Sequence, residues 1–146
     1  MTTPLRAAAA LLLALLPSAL LAQTPVDTAA AVSAAKAAAS RWLAVVDGGQ
    51  YAVSWDDAST SFQGAVPKPA WEQTIATTRA PFDPVGTRQL VGARYTTDLP
   101  NAPPGPYVLL QYRTSVPGGK SVVETVVPVL DGERGWRVSG YFVRPE

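Results

Sequence analysis

The chain has 146 residues, with 12 Lys and Arg against 11 Asp and Glu, a formal net charge of +1, and neither His nor Cys. Lacking thiolate and imidazole, it cannot build a Cys/His zinc site, a disulfide, a Cys nucleophile, a Ser-His-Asp triad or a His- or Cys-ligated haem. Proton transfer near neutral pH would fall to a carboxylate, Tyr or Lys with a displaced pKa, and the near-balance of charge argues against a nucleic-acid binder.

The first 22 residues read as a secretory leader. Arg6 supplies the charged start, residues 7–16 are an unbroken apolar run, Pro17-Ser18 interrupts it, and Ala22 precedes the cut before Gln23. The run falls short of the roughly 20 residues that span a bilayer. Cleavage removes Arg6 and 22 of the 146 residues, leaving a single domain over 23–146 of 124 residues, with 11 charges of each sign. The expected product is periplasmic or secreted, with no membrane span after leader removal. A chain without cysteine tolerates an oxidising compartment.

Residues 24–47 are Ala-rich, with Ala31, Ala35, Ala38, Trp42 and Val45 at helical spacing and Gly48-Gly49 as the stop. A second helix is expected over 50–60, with Tyr51, Trp55, Ala58 and Phe62 on one stripe. A third starts near Pro69, turns Trp71, Ile75 and Thr78 inward, and ends before Ala80-Pro81. Strands are expected over 86–97, 107–116, 121–130 and 136–143. They are joined by the Pro-stiffened loop 98–105 and by hairpins at 117–120 and 131–135. Pro128 cannot donate to a ladder and belongs at an edge, a bulge or a strand end. Along the third strand Val123, Val127 and Val129 look like a purer core face than the one carrying Glu124. Helices followed by strands define an α+β fold, with N-terminal helices packed on a curved four-stranded antiparallel sheet as a cone-like roll.

Five stretches carry a resemblance: residues 41–59 (RWLAVVDGGQYAVSWDDAS), Trp71 with Arg79 and Pro81, residues 98–115 (DLPNAPPGPYVLLQYRTS), 122–130 (VVETVVPVL) and 135–143 (GWRVSGYFV). Together they resemble the exported bacterial family called domain of unknown function 4019, over nearly all of 23–146. The most specific pieces are W-L-x-x-x-D-x-x-x-Y-x-x-S-W and G-W-R-V-x-G-Y. The family implies no assigned activity. After Arg79 its pattern leads to a Pro-Leu-Gly turn, where this chain has Pro81-Phe82-Asp83-Pro84. The order of elements is also similar, more loosely, to the cone-shaped nuclear-transport-factor-2-like folds. Enzymes among these often use an Asp-His pair, which this chain lacks.

The candidate ligand-binding residues are Arg113, Glu124, Tyr112, Tyr141 and Arg79. A two-residue Gly118-Gly119 loop sets Arg113 directly across from Glu124, and the next hairpin brings Glu124 near Tyr141 or Phe142. Such a group would hold an anion on Arg113 with Glu124 as acceptor or base. Otherwise it is a cross-strand ion pair on a solvated face. Arg79 and Arg88 beside the Phe82 loop offer a second place for anion capture. Asp56 and Asp57 point about 100° apart on a helix and do not converge as an acid/base pair. No catalytic residue, metal site or cofactor is expected.

Three readings follow. The first is a small non-catalytic binding module of the cell envelope, taking a small hydrophobic ligand or an envelope protein. The second is a homodimeric scaffold joined through the open sheet face. The third is a cone-fold enzyme using Glu124 with Tyr112 or Tyr141. Whether Glu124 faces an open concavity separates the first from the third.

Overall fold

The computed structural model describes residues 26–146, so the leader lies outside the described residues. Four helices precede four strands: α1 (Thr28–Asp47), α2 (Tyr51–Asp57), α3 (Thr60–Ala65), α4 (Lys68–Arg79), β1 (Arg88–Thr96), β2 (Tyr107–Val116), β3 (Lys120–Leu130) and β4 (Trp136–Pro145). The strands form one antiparallel sheet in the order β1-β2-β3-β4. The fold is therefore α+β, as the pattern of elements predicts.

α1 is an apolar N-terminal helix of 20 residues, long enough by length and composition to cross a membrane. Here it is a core element. Ala35, Ala39, Trp42, Leu43 and Val46 are buried against Val108, Leu110, Val126 and Val138 of the sheet. Its small residues suit close packing on the sheet, and Trp42 packs its ring against Trp71 and Tyr141, with centroids 5.9 and 5.5 Å away. Asp27 caps its start by accepting from Ala30 N at 3.0 Å. Gly49 follows its end at φ 70°, a conformation that costs glycine little.

The single helix expected over 50–60 is in fact two. Ala58 is extended at ψ 168°, and Ser59 caps α3 by accepting from Phe62 N at 3.1 Å. The break has a tertiary use, because the freed Ser59 N–H donates to Val138 O at the edge of β4, 2.9 Å away. Trp55 Nε1 then donates to Val66 O at 2.7 Å and fixes the end of α3.

Two register features differ from expectation or refine it. Val116 pairs with Lys120, so the β2–β3 turn is the three-residue Pro117-Gly118-Gly119, with both glycines at positive φ. Glu124 consequently faces Tyr112, and Arg113 faces Val123. One added loop residue moves the opposing partner by one and puts it on the other face. Pro128 lies in a central strand at a bulge between Val127 and Pro128, where the ladder needs no donor from it.

The face of Glu124 is the helix-covered one, contrary to the sequence reading. Val122, Val126, Leu110, Tyr112 and Tyr141 share that side and are buried. The valines of the opposite face are buried for another reason. Val127 and Val129 join Tyr107 in a second cluster under Leu99 and Ala102 of the 98–106 loop. Both faces of β3 thus carry buried valines, and alternation alone cannot rank them.

The helical layer is joined at Ser54. Trp42 Nε1 donates to Ser54 O at 2.8 Å, Trp71 Nε1 donates to Ser54 Oγ at 2.9 Å, and Ser54 Oγ donates to Tyr51 O at 2.7 Å. Ser54→Ala leaves the buried Trp71 indole N–H unpaired, at an expected cost of about 1–3 kcal/mol. Urea unfolding followed by tryptophan fluorescence should show a lower midpoint at unchanged slope; an unshifted midpoint would show that the joint carries no weight.

Candidate functional site

At the C-terminal ends of α1 and α4, five charged or phenolic side chains from five elements, joined by Asp83 from the loop after α4, meet under the sheet. Arg79 is the last residue of α4, where a cation suits the helix dipole. Asp47 is the last residue of α1, where a carboxylate opposes the dipole and needs another reason to be there. Arg88 opens β1, Glu124 sits mid-β3 and Tyr141 lies in β4.

Arg79, 1% exposed, donates from Nε and NH2 to Asp83 Oδ1 at 2.9 and 2.6 Å, from NH2 to Asp47 Oδ1 at 2.8 Å, and from NH1 to Tyr141 OH at 3.2 Å. Arg88 makes two paired contacts. It donates to Glu124 Oε1 and Oε2 at 2.9 and 3.1 Å, and to Asp47 Oδ2 and Oδ1 at 2.5 and 2.8 Å. Tyr141 OH donates to Glu124 Oε2 at 2.7 Å. Glu124 is 0% exposed, and both of its oxygens are engaged.

Electrostatics follow from this geometry. Burial pushes the Asp47 carboxyl up, but hydrogen bonds and charge from Arg88 and Arg79 outweigh it and hold the group below the usual carboxylate range. Burial, then the charge of Glu124, raise Tyr141 well above the ordinary phenol range, against the opposing pull of Arg79. Burial lowers the affinity of Arg79 and Arg88 for their protons, yet the facing carboxylates and phenol more than compensate. Both stay charged.

Four of the five sequence candidates meet here: Glu124, Tyr141, Arg79 and Tyr112. Tyr112 faces Glu124 across the β2–β3 ladder, and burial raises its pKa; its hydroxyl is buried without a hydrogen-bond partner among the described residues. Arg113 does not belong. It stands on the outer face, donating from Nε to Glu146 Oε1 at 2.7 Å in an exposed pair. Asp47, Asp83 and the double role of Arg88 escaped the sequence reading. The position of Asp47, an acid one residue before a helix stop, was the available signal. Asp83 stands where the family pattern has its turn, and it is the residue that closes on Arg79 (i,i+4).

Chemically the cluster is a set of facing charges with one carboxylate in excess. Two guanidiniums face three carboxylates, and the main surface clefts are lined by other residues. Asp56 and Asp57 point outward, Asp56 pairing with Lys68 Nζ at 2.7 Å. No group of His, Cys, Asp or Glu suited to a metal ion occurs among the described residues.

A second feature is an open cleft of about 320 Å³ between α3, the 98–106 loop and the outer face of β4. Phe62, Val66, Leu99, Tyr107, Val127 and Phe142 line it, with Ser61, Asn101 and Ser139 as polar groups. Phe142 is 64% exposed.

The molecule is a small α+β domain in which helices cover one face of an open antiparallel sheet and an ion cluster ties the two layers. It belongs to the family described as Protein of unknown function (DUF4019), whose model matches residues 38–141. That span contains every member of the ion cluster. No curated protein and no solved structure matches the chain.

Removing one partner of a buried pair strands the other. Glu124→Gln should cost about 3–5 kcal/mol in chemical denaturation, whereas Arg113→Ala, exposed, should stay within about 0.5 kcal/mol. Equal effects would place Glu124 outside the load path. Acid dependence follows from Asp47. Its folded pKa is depressed, so its contribution is present above the unfolded value of about 3.9 and is lost as pH falls through the folded one. Asp131, lowered by Thr60 and Arg134 against the effect of burial, adds to the same limb. Denaturant midpoints measured from neutral pH downward should therefore drop below about pH 4, and Asp47→Asn should flatten that drop without abolishing it.

Proposed function

We propose that the protein is an exported, non-catalytic binding module of the cell envelope that takes a small apolar ligand in the cleft between α3, the 98–106 loop and β4. The observation that carries this reading is the cleft itself. It presents a large exposed phenyl ring, Phe142, beside a rigid loop of prolines and a few polar groups. Apolar walls with sparse polar atoms at about 300 Å³ and above are the usual make-up of small-molecule sites. Phe142 does not stand singly there: Phe62, Val66, Leu99 and Tyr107 continue the apolar surface around it.

The engagement of Glu124 favours a module over an enzyme. Its oxygens are committed to Arg88 and Tyr141, so general-base work would first require breaking buried charge-assisted bonds. Export rests on the leader pattern of residues 1–22. The arrangement of helices before a four-stranded meander supports an architectural kinship with the nuclear-transport-factor-2-like cones.

The test has two arms. Native mass spectrometry of protein isolated from its own envelope fraction should show a chain beginning at Gln23 with a retained apolar mass. The neutral dye N-phenyl-1-naphthylamine should brighten on the purified protein, and Phe142→Glu should weaken it by about tenfold, a loss of about 1.4 kcal/mol. A cytoplasmic, uncleaved chain ends the export reading; a dye signal indifferent to Phe142→Glu ends the cleft reading.

A further inference from the structure

We propose that the free edge of β1, with the first turns of α1, is a docking groove for an extended acidic segment of a partner protein, which joins the sheet as an added strand. The inference concerns a surface separate from the apolar cleft, and the two share no lining residue.

The two rims of the sheet are treated differently. At the β4 rim, Ser59 N donates to Val138 O, Thr60 N and Oγ1 donate to Asp131 Oδ2, and the strand ends in Pro145. These are ordinary protections of an edge. At the β1 rim, no backbone group of Arg88–Thr96 bonds to any element other than β2 among the described residues. β1 contains no Pro and no Lys, and its one bulge, at Val91, precedes the regular run of residues 92–96. Of its two arginines, Arg88 turns inward to Asp47 and Glu124, leaving Arg94 exposed. A run of this length matches the usual strand that a sheet edge recruits.

The groove beside that run is basic. A cleft of about 660 Å³ lies between α1 and β1, walled by Thr28, Val32 and Lys36 on one side and by Ala93, Arg94 and Tyr95 on the other. Lys36 and Arg94 have no ion-pair partner among the described residues, and no carboxylate lines the cleft. Asp27, the nearest acid in sequence on the α1 side, is committed to capping Ala30 N. Unpaired main-chain groups select an extended segment. Lys36 stands on the helix side of the edge and Arg94, across from Leu109, on the outer side, so the two free cations select acids at neighbouring positions, which point to opposite sides. Tyr95 and Val32 offer apolar contact to the residues beside them.

The probe is a blocked peptide of about seven residues built on Val-Glu-Glu-Val, so that acids face both sides of the edge, titrated into the ¹⁵N-labelled protein and followed by amide shifts. The expected result is perturbation of residues 92–96 and 28–36. The Lys36→Glu, Arg94→Glu double variant should raise the Kd at least about tenfold, and N-methylation of alternate peptide bonds in the probe should abolish binding. Neither substitution touches the core, and thermal unfolding of the double variant controls for folding. Equal binding of a control peptide with Lys in place of each Glu, indifference to the double variant or to N-methylation, or shifts confined to α3 and the 98–106 loop would each overturn the proposal. So would a concentration-dependent dimer with β1 at its interface, which would make a second copy the occupant. None of these results alters the dye test on Phe142.

Discussion

A buried guanidinium must have anions on several sides, and that requirement organises this molecule. Arg79 lies at the end of α4 with almost no access to water, and its planar fork is met by Asp83 from the following loop, Asp47 from α1 and the Tyr141 hydroxyl from β4. Arg88 repeats the demand from β1 and is met by Asp47 and Glu124. Desolvating so many charges is expensive, and such a cluster adds little net stability compared with an apolar packing of the same shape. What it adds is geometry. Each carboxylate has directions it must satisfy, so helix ends and strands are held in one relative position, which hydrophobic contact alone leaves softer.

The motif residues that mark the family acquire physical meaning in this frame. In W-L-x-x-x-D-x-x-x-Y-x-x-S-W, Trp42 and Ser54 are hydrogen-bonded to each other, Leu43 is core, Asp47 bridges both arginines, and Trp55 ties down α3. In G-W-R-V-x-G-Y, Val138 receives the Ser59 N–H, Gly140 lies on the outer face opposite Val127, and Tyr141 completes the ion cluster. These residues assemble the two layers. Apart from Gly140, which borders the cleft at Phe142, they lie away from the surfaces proposed for recognition, around Phe142 and along β1.

The helices and strands were legible because their signals are local: the spacing of Trp42 and Val45, the stop at Gly48-Gly49, the Pro at the start of α4, and the glycines between β2 and β3. Pro128 announced its bulge. Register was not legible, because it turned on whether the β2–β3 loop holds two residues or three, and that choice decided which of Arg113 and Tyr112 meets Glu124. The face of Glu124 was misread since a charged residue at a core position looks polar until its partners are known. Those partners come from residues 47, 79, 88 and 141, separations that no local pattern reports. Tyr141, Tyr112 and Arg79 are nevertheless sequence candidates, on their nearness to Glu124 or to the Phe82 loop and not on any sign that they point inward.

The order of the cluster along the chain has a consequence for how the molecule comes together. Asp47, Arg79 and Arg88 precede β2, whereas Glu124 lies in the third strand and Tyr141 is only a few residues from the C-terminus. A nascent chain emerging from its N-terminus therefore carries two arginines that cannot be fully desolvated until β3 and β4 have followed, because Glu124, one of their three carboxylates, and the Tyr141 hydroxyl have yet to arrive. Closure of the two layers on this cluster waits for β3 and β4.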